Sequence, residues 1–174
     1  MMEIHTPRLT LRPAGMDDLQ TTHAYASDLE NTRFMMYLPY ASLEETAQML
    51  NEAEAEWQKP LPERYEFAIL LEGRHIGGIT LYMQEDRTHA ELGWVLHKAY
   101  WRRGYVTEAA QGVISFAKEQ LGVQRIFACC DSENVASYKT MEKLGMHLVK
   151  ADGVRTNRSM GDEVRRELTY EVLF

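Results

Sequence analysis

The 174-residue sequence contains only two cysteines, and they are adjacent, at Cys129 and Cys130. Consecutive side chains on a strand point to opposite faces, so the pair is expected to form neither a disulfide framework nor a metal site. The first nine residues lack the apolar core of a signal peptide, and no apolar run reaches the length of a membrane span. These features predict a cytoplasmic chain without a membrane partner.

Basic residues are also scarce. The chain has 19 Lys and Arg against 26 Asp and Glu, a net charge of -7, whereas binding to a phosphate backbone needs a broad basic surface. Nucleic acid is therefore not expected as a partner. The glycine motifs GxGxxG and GxxxxGK[ST] are absent too, which disfavours dinucleotide and P-loop binding. The length and the 45% hydrophobic content fit one globular domain over residues 1–174.

The most informative stretch is a strand, a basic loop and a helix. His89–Leu96 is apolar and branched enough for a mostly buried strand, and a long amphipathic helix is predicted from Thr107. Gly104 allows the sharp turn between them. A glycine loop that enters a helix N-terminus directs several backbone N–H groups at one spot and favours an anion, most often phosphate. Arg102 and Arg103 add positive charge there; the alternative is an ordinary turn with two solvated arginines.

Hydrophobic periodicity and turn residues predict the other elements. Strands are predicted at Thr6–Pro13, Tyr65–Leu71, His75–Gln84, Gln124–Cys130, His147–Ala151 and Glu163–Phe174, helices at Asp17–Ser27, Ser42–Lys59 and Asn134–Leu144, and a short helical turn at Asp28–Arg33. A mobile loop rich in glycine and arginine is expected between the last two strands. Together the elements predict a mixed, mostly antiparallel sheet flanked by helices, in the α/β or α+β class.

Two motifs carry a resemblance to a known family. Trp101–Val106 (WRRGYV) resembles the pyrophosphate loop [QR]xxGx[GA] of the GNAT N-acetyltransferases. Trp101 and Val106 depart from that general pattern, but YWRRGYVTEA is similar to yWgkGyatEA of the RimJ/RimL-like branch, the ribosomal-protein alanine N-acetyltransferases, where tryptophan is usual. About thirty residues later, Asn134 and Ser137 begin a match to that branch's NxxSxxxxEKxG[FM] pattern. The resemblance extends over nearly the whole chain.

The resemblance implies a GNAT fold in which the central strand splays from its neighbour, with acetyl-CoA as the acyl donor. The pantetheine arm would lie in the gap and pair with the strand backbone, and an N–H near Val95 or Leu96 would meet the thioester oxygen. The cofactor-binding residues implied in this way are Trp94, Val95, Leu96, Arg102, Arg103, Gly104, Tyr105, Val106, Thr107 and Asn134.

Two residues are candidates for the proton transfers that acetyl transfer to an amine requires. Glu91 lies on the central strand, where GNAT enzymes often place a base; alternatively it is a strand carboxylate that faces solvent or an arginine. Many GNAT enzymes carry a tyrosine acid seven residues after the helix asparagine, but here that position is Met141. Ser137 stands where the RimJ/RimL-like branch has a serine near the sulfur, although helix-end hydrogen bonding is an equal alternative. The weaker candidates are three histidines, which are more often structural: His75, His89 and His97.

The expected acceptor is a primary amine of a peptide or small molecule. An α-amino group with a pKa of ~8 is about one-tenth neutral at pH 7, whereas a lysine-like amine near ~10.4 is almost fully protonated, so a base matters more for the second. The pocket for the acceptor is predicted near Met35 and Tyr37 and near a loop at Arg155. The stretch that contains Met35 and Tyr37 is rich in methionine and aromatic residues, which also suits core packing.

Other functions and assemblies stay open from the sequence. A catalytically inactive acyl-CoA-binding sensor or interaction module is supported only by Met141. Acylation of a ribosome-bound protein would use a docking surface for a basic partner, for which the acidic helix Ser42–Lys59 is a weak indication. A homodimer is compatible with the sequence, which does not determine the oligomeric state.

Overall fold

The computed structural model describes residues 2–174, and at its centre is one eight-stranded sheet. The strands are β1 (Ile4–His5), β2 (Leu9–Pro13), β3 (Arg64–Leu71), β4 (Arg74–Met83), β5 (His89–Leu96), β6 (Arg125–Asp131), β7 (His147–Thr156) and β8 (Val164–Leu173). Their order across the sheet is β1-β2-β3-β4-β5-β6-β8-β7. Among the strand pairs within residues 2–174, only the central pair, β5 and β6, is parallel.

Four helices lie on the two faces of the sheet. They are α1 (Leu19–Ala26), α2 (Leu43–Trp57), α3 (Tyr105–Leu121) and α4 (Val135–Lys143). α3 and α4 pack on one face, where Val113 and Met141 join Leu92 in the main core. α1 and α2 pack on the other face, where Leu50 contacts the β3 residue Ala68 in a smaller cluster. The arrangement confirms the predicted mixed, mostly antiparallel sheet flanked by helices.

The β3–β4 hairpin forms where the sequence predicts it. Glu72 and Gly73 connect the strands and both have positive φ, 49° and 78°. A two-residue turn with two positive φ angles matches the twist of antiparallel strands. This hairpin starts the meander that leads into β5.

The start of α2 is also as expected, with one difference. The Ser42 hydroxyl accepts a hydrogen bond from the Glu45 N–H at 3.1 Å, as in a capping box. The Glu45 carboxylate accepts from the Ala41 N–H at 2.7 Å, one residue before the helix cap. The helix ends at Trp57 rather than at the predicted Lys59.

Several predicted boundaries are wrong near the N-terminus. The first strand divides into β1 and β2, because the Thr6 N–H and hydroxyl both bond to the Leu9 carbonyl and fold the chain there. α1 begins at Leu19 instead of Asp17, after a 3-10 turn at Met16–Asp18. Asp18 binds Arg12 through both carboxylate oxygens, at 2.9 and 2.7 Å, rather than capping the helix. The segment Asp28–Arg33 forms turns and no helix.

The loop expected before the last strand is shorter than predicted. β7 continues to Thr156, five residues beyond the predicted end at Ala151. Its pairing with β8 contains two register shifts, between Leu148 and Lys150 and between Lys150 and Gly153. A Cβ atom at Gly153 would lie 3.1 Å from the Glu167 carbonyl oxygen, so glycine here permits close strand approach.

The two cysteines lie on opposite faces of β6, as predicted. Cys130 is buried in the main core and Cys129 is half-buried on the other face; both are free thiols. Over residues 2–174, no helix combines the length and apolar character needed to cross a membrane.

Candidate active site

The central feature of the site is a gap between β5 and β6. The two strands pair only from His89–Arg125 to Glu91–Phe127, although β5 continues to Leu96 and β6 to Asp131. Beyond Glu91 the strands therefore splay apart, and one edge of β5 has no strand partner. An extended ligand could form backbone hydrogen bonds there.

Alternation along β5 determines which backbone groups face this gap. The His97 N–H donates to the Ile76 carbonyl on β4 at 2.9 Å, and the Val95 carbonyl points at Gly77 on the same strand. Successive peptide groups of a strand point to opposite sides. The N–H groups of Trp94 and Leu96 thus face the gap, whereas the N–H group of Val95 faces β4.

One carbonyl at the gap is already occupied. The Leu96 carbonyl accepts hydrogen bonds from the Asn31 side-chain amide and from the Trp101 indole N–H, both at 2.8 Å. The Asn31 side-chain oxygen also accepts from the Lys98 N–H at 2.7 Å. Asn31 therefore holds the chain as it leaves β5, and the N–H groups of Trp94 and Leu96 stay available for a ligand.

The start of α3 presents backbone amides that have no partner within the helix. Gly104 caps the helix with φ of 78°, a conformation that suits glycine. The first intrahelical bond is donated by the Glu108 N–H to the Gly104 carbonyl, at 3.0 Å. The N–H groups of Tyr105, Val106 and Thr107 therefore have no helical partner and are free to hold an anion.

The carboxylate in the first turn of α3 does not compete for these amides. Glu108 instead accepts hydrogen bonds from the Thr6 hydroxyl at 2.6 Å and from Arg8, through its backbone N–H at 2.7 Å and its Nε at 2.6 Å. Burial raises the pKa of Glu108, but the bonds from Thr6 and Arg8 outweigh it, and the net pKa is lowered. Glu108 is therefore a fixed anion that braces the helix start.

Arginine at this site comes from a position that sequence reasoning missed. Arg8 Nη1 donates to the Arg103 carbonyl at 3.0 Å, and its Nη2 lies 3.4 Å from a Cβ atom built on Gly104. The side chains of Arg102 and Arg103 extend into solvent. Because Arg8 is nearly one hundred residues away in the sequence, no local pattern indicated it.

Glu91 lies at the mouth of the gap, on the face covered by α1 and α2. It is half-buried and pairs with Tyr82 on β4 and Phe127 on β6. Burial raises the pKa of Glu91, the negative charge of Glu167 raises it further, and Arg155 opposes both. A carboxyl group with a raised pKa holds a proton more tightly, as a general base near neutral pH should.

Arg155 connects the site to the early segment of the chain. It is buried on β7, not in the predicted loop, and Nη1 contacts Glu167 at 3.3 Å. Its Nε donates to Asn157 at 3.0 Å and its Nη2 to the Phe34 carbonyl at 3.1 Å. Arg155 thus fixes both the charge near Glu91 and the position of the segment before α2.

Open space lies beside Glu91. Gly93 is the next residue on the same face of β5, and a Cβ atom there would meet only a Tyr82 ring carbon, at 3.8 Å. On the same face, Val95 packs with Met35 in a small apolar cluster. The predicted Met35 therefore lines this side of β5, whereas the Tyr37 side chain is 74% exposed.

On the other face of the gap, α4 brings Asn134 and Ser137 to the end of β6. Asn134 caps the helix, and its side-chain oxygen accepts from the Ser137 N–H at 3.3 Å. The half-buried Ser137 hydroxyl has no hydrogen-bond partner within residues 2–174. Met141 is 1% exposed in the main core, so its sulfur is part of the packing.

The three histidines near the central strand have structural contacts. His97 Nδ1 accepts from the Ala99 N–H at 3.1 Å, and His89 Nδ1 lies 2.9 Å from the Asp86 carboxylate. His75 bonds to Thr21 at 2.6 Å and to the Gly77 carbonyl at 2.8 Å. Burial lowers the pKa of His75, against the opposing effect of Asp18.

The comparisons with known proteins agree with this geometry. Residues 8–147 match the model of the acetyltransferase (GNAT) domain. This chain belongs to the GNAT acetyltransferase family. It is 32% identical over 148 residues, 83% of this chain and 82% of the relative, to the uncharacterized N-acetyltransferase YnaD of Bacillus subtilis (strain 168). The GNAT relatives show that the chain is an N-acetyltransferase.

Solved GNAT structures share the whole architecture. The acetyltransferase (GNAT family) from Bacillus anthracis superposes with a TM-score of 0.86 at 27% identity, over 99% of this chain and 98% of that one. RimL, a ribosomal L7/L12 alpha-N-protein acetyltransferase solved with coenzyme A, superposes with a TM-score of 0.88 over 99% of this chain and 98% of that one. Its identity to this chain is 15%, so the similarity shows a common fold alone.

The residues present fit acetyl-CoA, the acyl donor of this GNAT enzyme. The free amides at Tyr105–Thr107 suit a pyrophosphate, since they combine unpaired N–H groups with the positive end of a helix. The open edge of β5 suits an extended amide-containing arm. Both features face the same end of the gap, because the 3-10 turn Lys98–Tyr100 connects β5 almost directly to the start of α3.

Proposed function

We propose that this GNAT enzyme transfers the acetyl group of acetyl-CoA to a primary amine by direct attack of the amine on the thioester. The observation that carries the proposal is the gap between β5 and β6, which begins at Glu91 and places a carboxylate beside open space. Acetyl-CoA supplies an activated acetyl group. The chain must then hold it, orient the amine and move two protons.

Backbone groups would hold the donor. The N–H groups of Tyr105, Val106 and Thr107 bind the pyrophosphate, and those of Trp94 and Leu96 face the gap for the pantetheine arm and the thioester oxygen. Asn134 keeps its side-chain NH₂ group for a further contact, because its oxygen is used in capping α4. Arg102 and Arg103 add charge from solvent, where their effect is screened.

Glu91 and Ser137 would move the protons from opposite faces of the gap. Glu91 removes the proton from the attacking amine, directly or through a water, as the new C–N bond forms. Ser137 donates its hydroxyl proton to the departing sulfur as the C–S bond breaks, then regains a proton from solvent, to which Glu91 releases the proton it took from the amine. The free hydroxyl of Ser137 supports this role, since a serine used only in helix capping would have its oxygen occupied.

The acceptor is either a protein N-terminal α-amine or a small-molecule amine. The RimL neighbour acetylates a protein α-amine, as its name states, and the sequence motifs favour the same RimJ/RimL-like branch. Met35 and the carbonyl of Phe34 lie on the wall of the site on the α1–α2 side, so this segment would select the acceptor.

An assay of thiol release with acetyl-CoA and a panel of amines tests the proposal. The panel should contain short peptides with free N-termini, lysine-like amines and simple alkylamines, with the acetylated product identified by mass spectrometry. We expect turnover on at least one class and micromolar binding of CoA by calorimetry. Binding of CoA without turnover on any amine would favour the sensor or interaction module, and the absence of CoA binding would reject the donor site.

A further inference from the structure

A second carboxyl group lies on the same face of the sheet as Glu91. Glu66 on β3 is opposite Thr80 on β4, which in turn is opposite Gly93 on β5. Glu91 is two residues before Gly93, so both carboxyl groups point to the α1–α2 side. Two strand spacings of ~4.8 Å and two residues of ~3.3 Å rise place their Cα atoms roughly 12 Å apart.

Glu66 forms no ion pair within residues 2–174. One of its oxygens accepts from the Thr80 hydroxyl at 2.6 Å, but no Lys, Arg or His nitrogen among residues 2–174 lies within 4.0 Å of the carboxylate. Arg64, on the same face of β3, instead approaches Glu52 at 3.9 Å. Burial raises the pKa of Glu66, and the bond from Thr80 and the positive charge of Arg64 oppose this only in part.

Three tyrosines from different elements lie on the side of this carboxyl group: Tyr82 is on the neighbouring strand and the same face, and Tyr40 packs in the same apolar cluster as Tyr25. Tyr25 Oη and Glu66 Oε1 lie 3.4 and 3.3 Å from the same point, a Cβ atom built on Gly78. Burial raises the pKa of Tyr40 and of Tyr82 to about 12, and in both the negative charge of Glu66 is the next contribution. Tyrosine faces beside a carboxylate are the surroundings that bind an organic ammonium ion.

The ring of Tyr82 connects the surroundings of Glu66 with the space beside Glu91. Tyr82 is 39% exposed and lines an open groove of ≈ 560 Å³ together with Arg64 and Met83. The same ring contains the atom nearest to the space above Gly93, at 3.8 Å. Tyr82 therefore lies between the surroundings of Glu66 and those of Glu91.

We propose that Glu66, with Tyr40 and Tyr82, binds a second ammonium group of the acceptor, which is an α,ω-diamine acetylated at its other end. The inference rests on the proposed function, since it requires acetyl transfer near Glu91. A chain of four or five carbons, with a charge-assisted hydrogen bond of ~2.8 Å at each end, matches the separation of roughly 12 Å between the two Cα atoms, whose side chains point to the same side. A monoamine of the same length leaves Glu66 unpaired.

Acetyl transfer to 1,4-diaminobutane and to 1-aminobutane tests the inference, because the two differ only in the second amine. We expect the wild type to prefer the diamine in kcat/KM by about tenfold or more. Glu66→Gln keeps a partner for Thr80 but removes the charge, and it should reduce this preference to near unity, mainly through the KM of the diamine. Tyr82→Leu, at a partly exposed position, should reduce it in the same direction.

Glu119→Gln is the control, since Glu119 is an exposed carboxylate on α3, on the opposite face of the sheet. It removes the same charge outside the ring of tyrosines and should leave the preference unchanged. Equal kcat/KM for the two amines in the wild type, or an unchanged preference in Glu66→Gln, would overturn the inference while the proposed function stands. Acetylation of peptide amines without any transfer to the diamine would overturn it too. The absence of transfer to every amine would reject the proposed function itself.

Discussion

Arg8 and Glu108 join the N-terminal segment to the first turn of α3. Arg8 donates to the Glu108 carboxylate through its backbone N–H and through Nε, at 2.7 and 2.6 Å, and its Nη1 reaches the Arg103 carbonyl at 3.0 Å. One side chain therefore fixes both the helix carboxylate and the residue before Gly104. The anion site thus depends on a residue that precedes the first long strand.

Loss of this contact should weaken donor binding. We expect Arg8→Met to raise the Kd for CoA several-fold, with a loss of stability of about 1 kcal/mol or less, because Arg8 is 46% exposed and exposed pairs contribute little. Arg8→Lys keeps the charge but not the three-way geometry, so it should restore only part of the affinity. Calorimetry with CoA measures both, and wild-type affinity in Arg8→Met would contradict the expectation.

Alanine substitutions of the two glycines at the ends of α3 distinguish the effect of backbone strain from the loss of ligand binding. Gly104 and Gly122 both have left-handed φ, 78° and 69°. Alanine at either position should lower stability by about 1 kcal/mol, since L side chains disfavour this conformation. Only Gly104→Ala should also weaken CoA binding, because its Cβ lies beside the free amides and Arg8. Equal CoA affinity in the two variants would mean that the loop does not hold the pyrophosphate.

Glu91→Gln should affect turnover and not donor binding. We expect kcat to fall by about 10²-fold or more, and more for acceptors with a high amine pKa, whose neutral fraction is small. The Kd for CoA should stay at the wild-type value. A pH–rate profile checks the role: the wild-type rate should fall as pH drops through the raised pKa of Glu91, and this acid limb should disappear in the variant. An unchanged rate at every pH would exclude Glu91 from the mechanism.

A substitution of Glu167 tests the role of Glu91 independently, because it changes the pKa of Glu91 without altering that residue. Its negative charge helps to raise the pKa of Glu91, after burial. Glu167→Gln should therefore lower the pKa of Glu91 and move the acid limb of the profile to lower pH, so that activity persists in more acidic buffer. Glu163→Gln, which removes a 56% exposed carboxylate before β8, should leave the limb in place. A shift to higher pH in Glu167→Gln would contradict the assigned charge coupling.

Local patterns predicted the fold well, and long-range contacts explain where they did not. The strand–glycine–helix pattern was visible because β5, Gly104 and α3 follow one another in the chain. Arg8 and Glu66 were not recognised, since each acquires its role only when distant strands and helices assemble. Gly153 was interpreted as a loop residue, but its role is close contact between β7 and β8, and sequence alone does not distinguish the two.

The residues of the candidate site also divide into those that a local pattern identified and those that long-range contacts position. Glu91 and Met35 were identified from the sequence, and the structure places both on the α1–α2 face of β5. Strand alternation, which depends on the register with β4, directs the N–H groups of Trp94 and Leu96 toward the gap and the N–H group of Val95 toward β4. The registers of β3, β4 and β5 also place Glu66 on this face, and register is set by tertiary packing.

The segment before α2 is tied to the scaffold at several points. Asn31 bonds to the end of β5, Arg155 to the Phe34 carbonyl and Arg158 to the Tyr37 carbonyl. An engineer who grafts this segment from a relative, in order to change the acceptor, would have to move the two arginines of the C-terminal half with it. Under the proposed function, acceptor specificity therefore depends on two stretches of chain that are distant in the sequence.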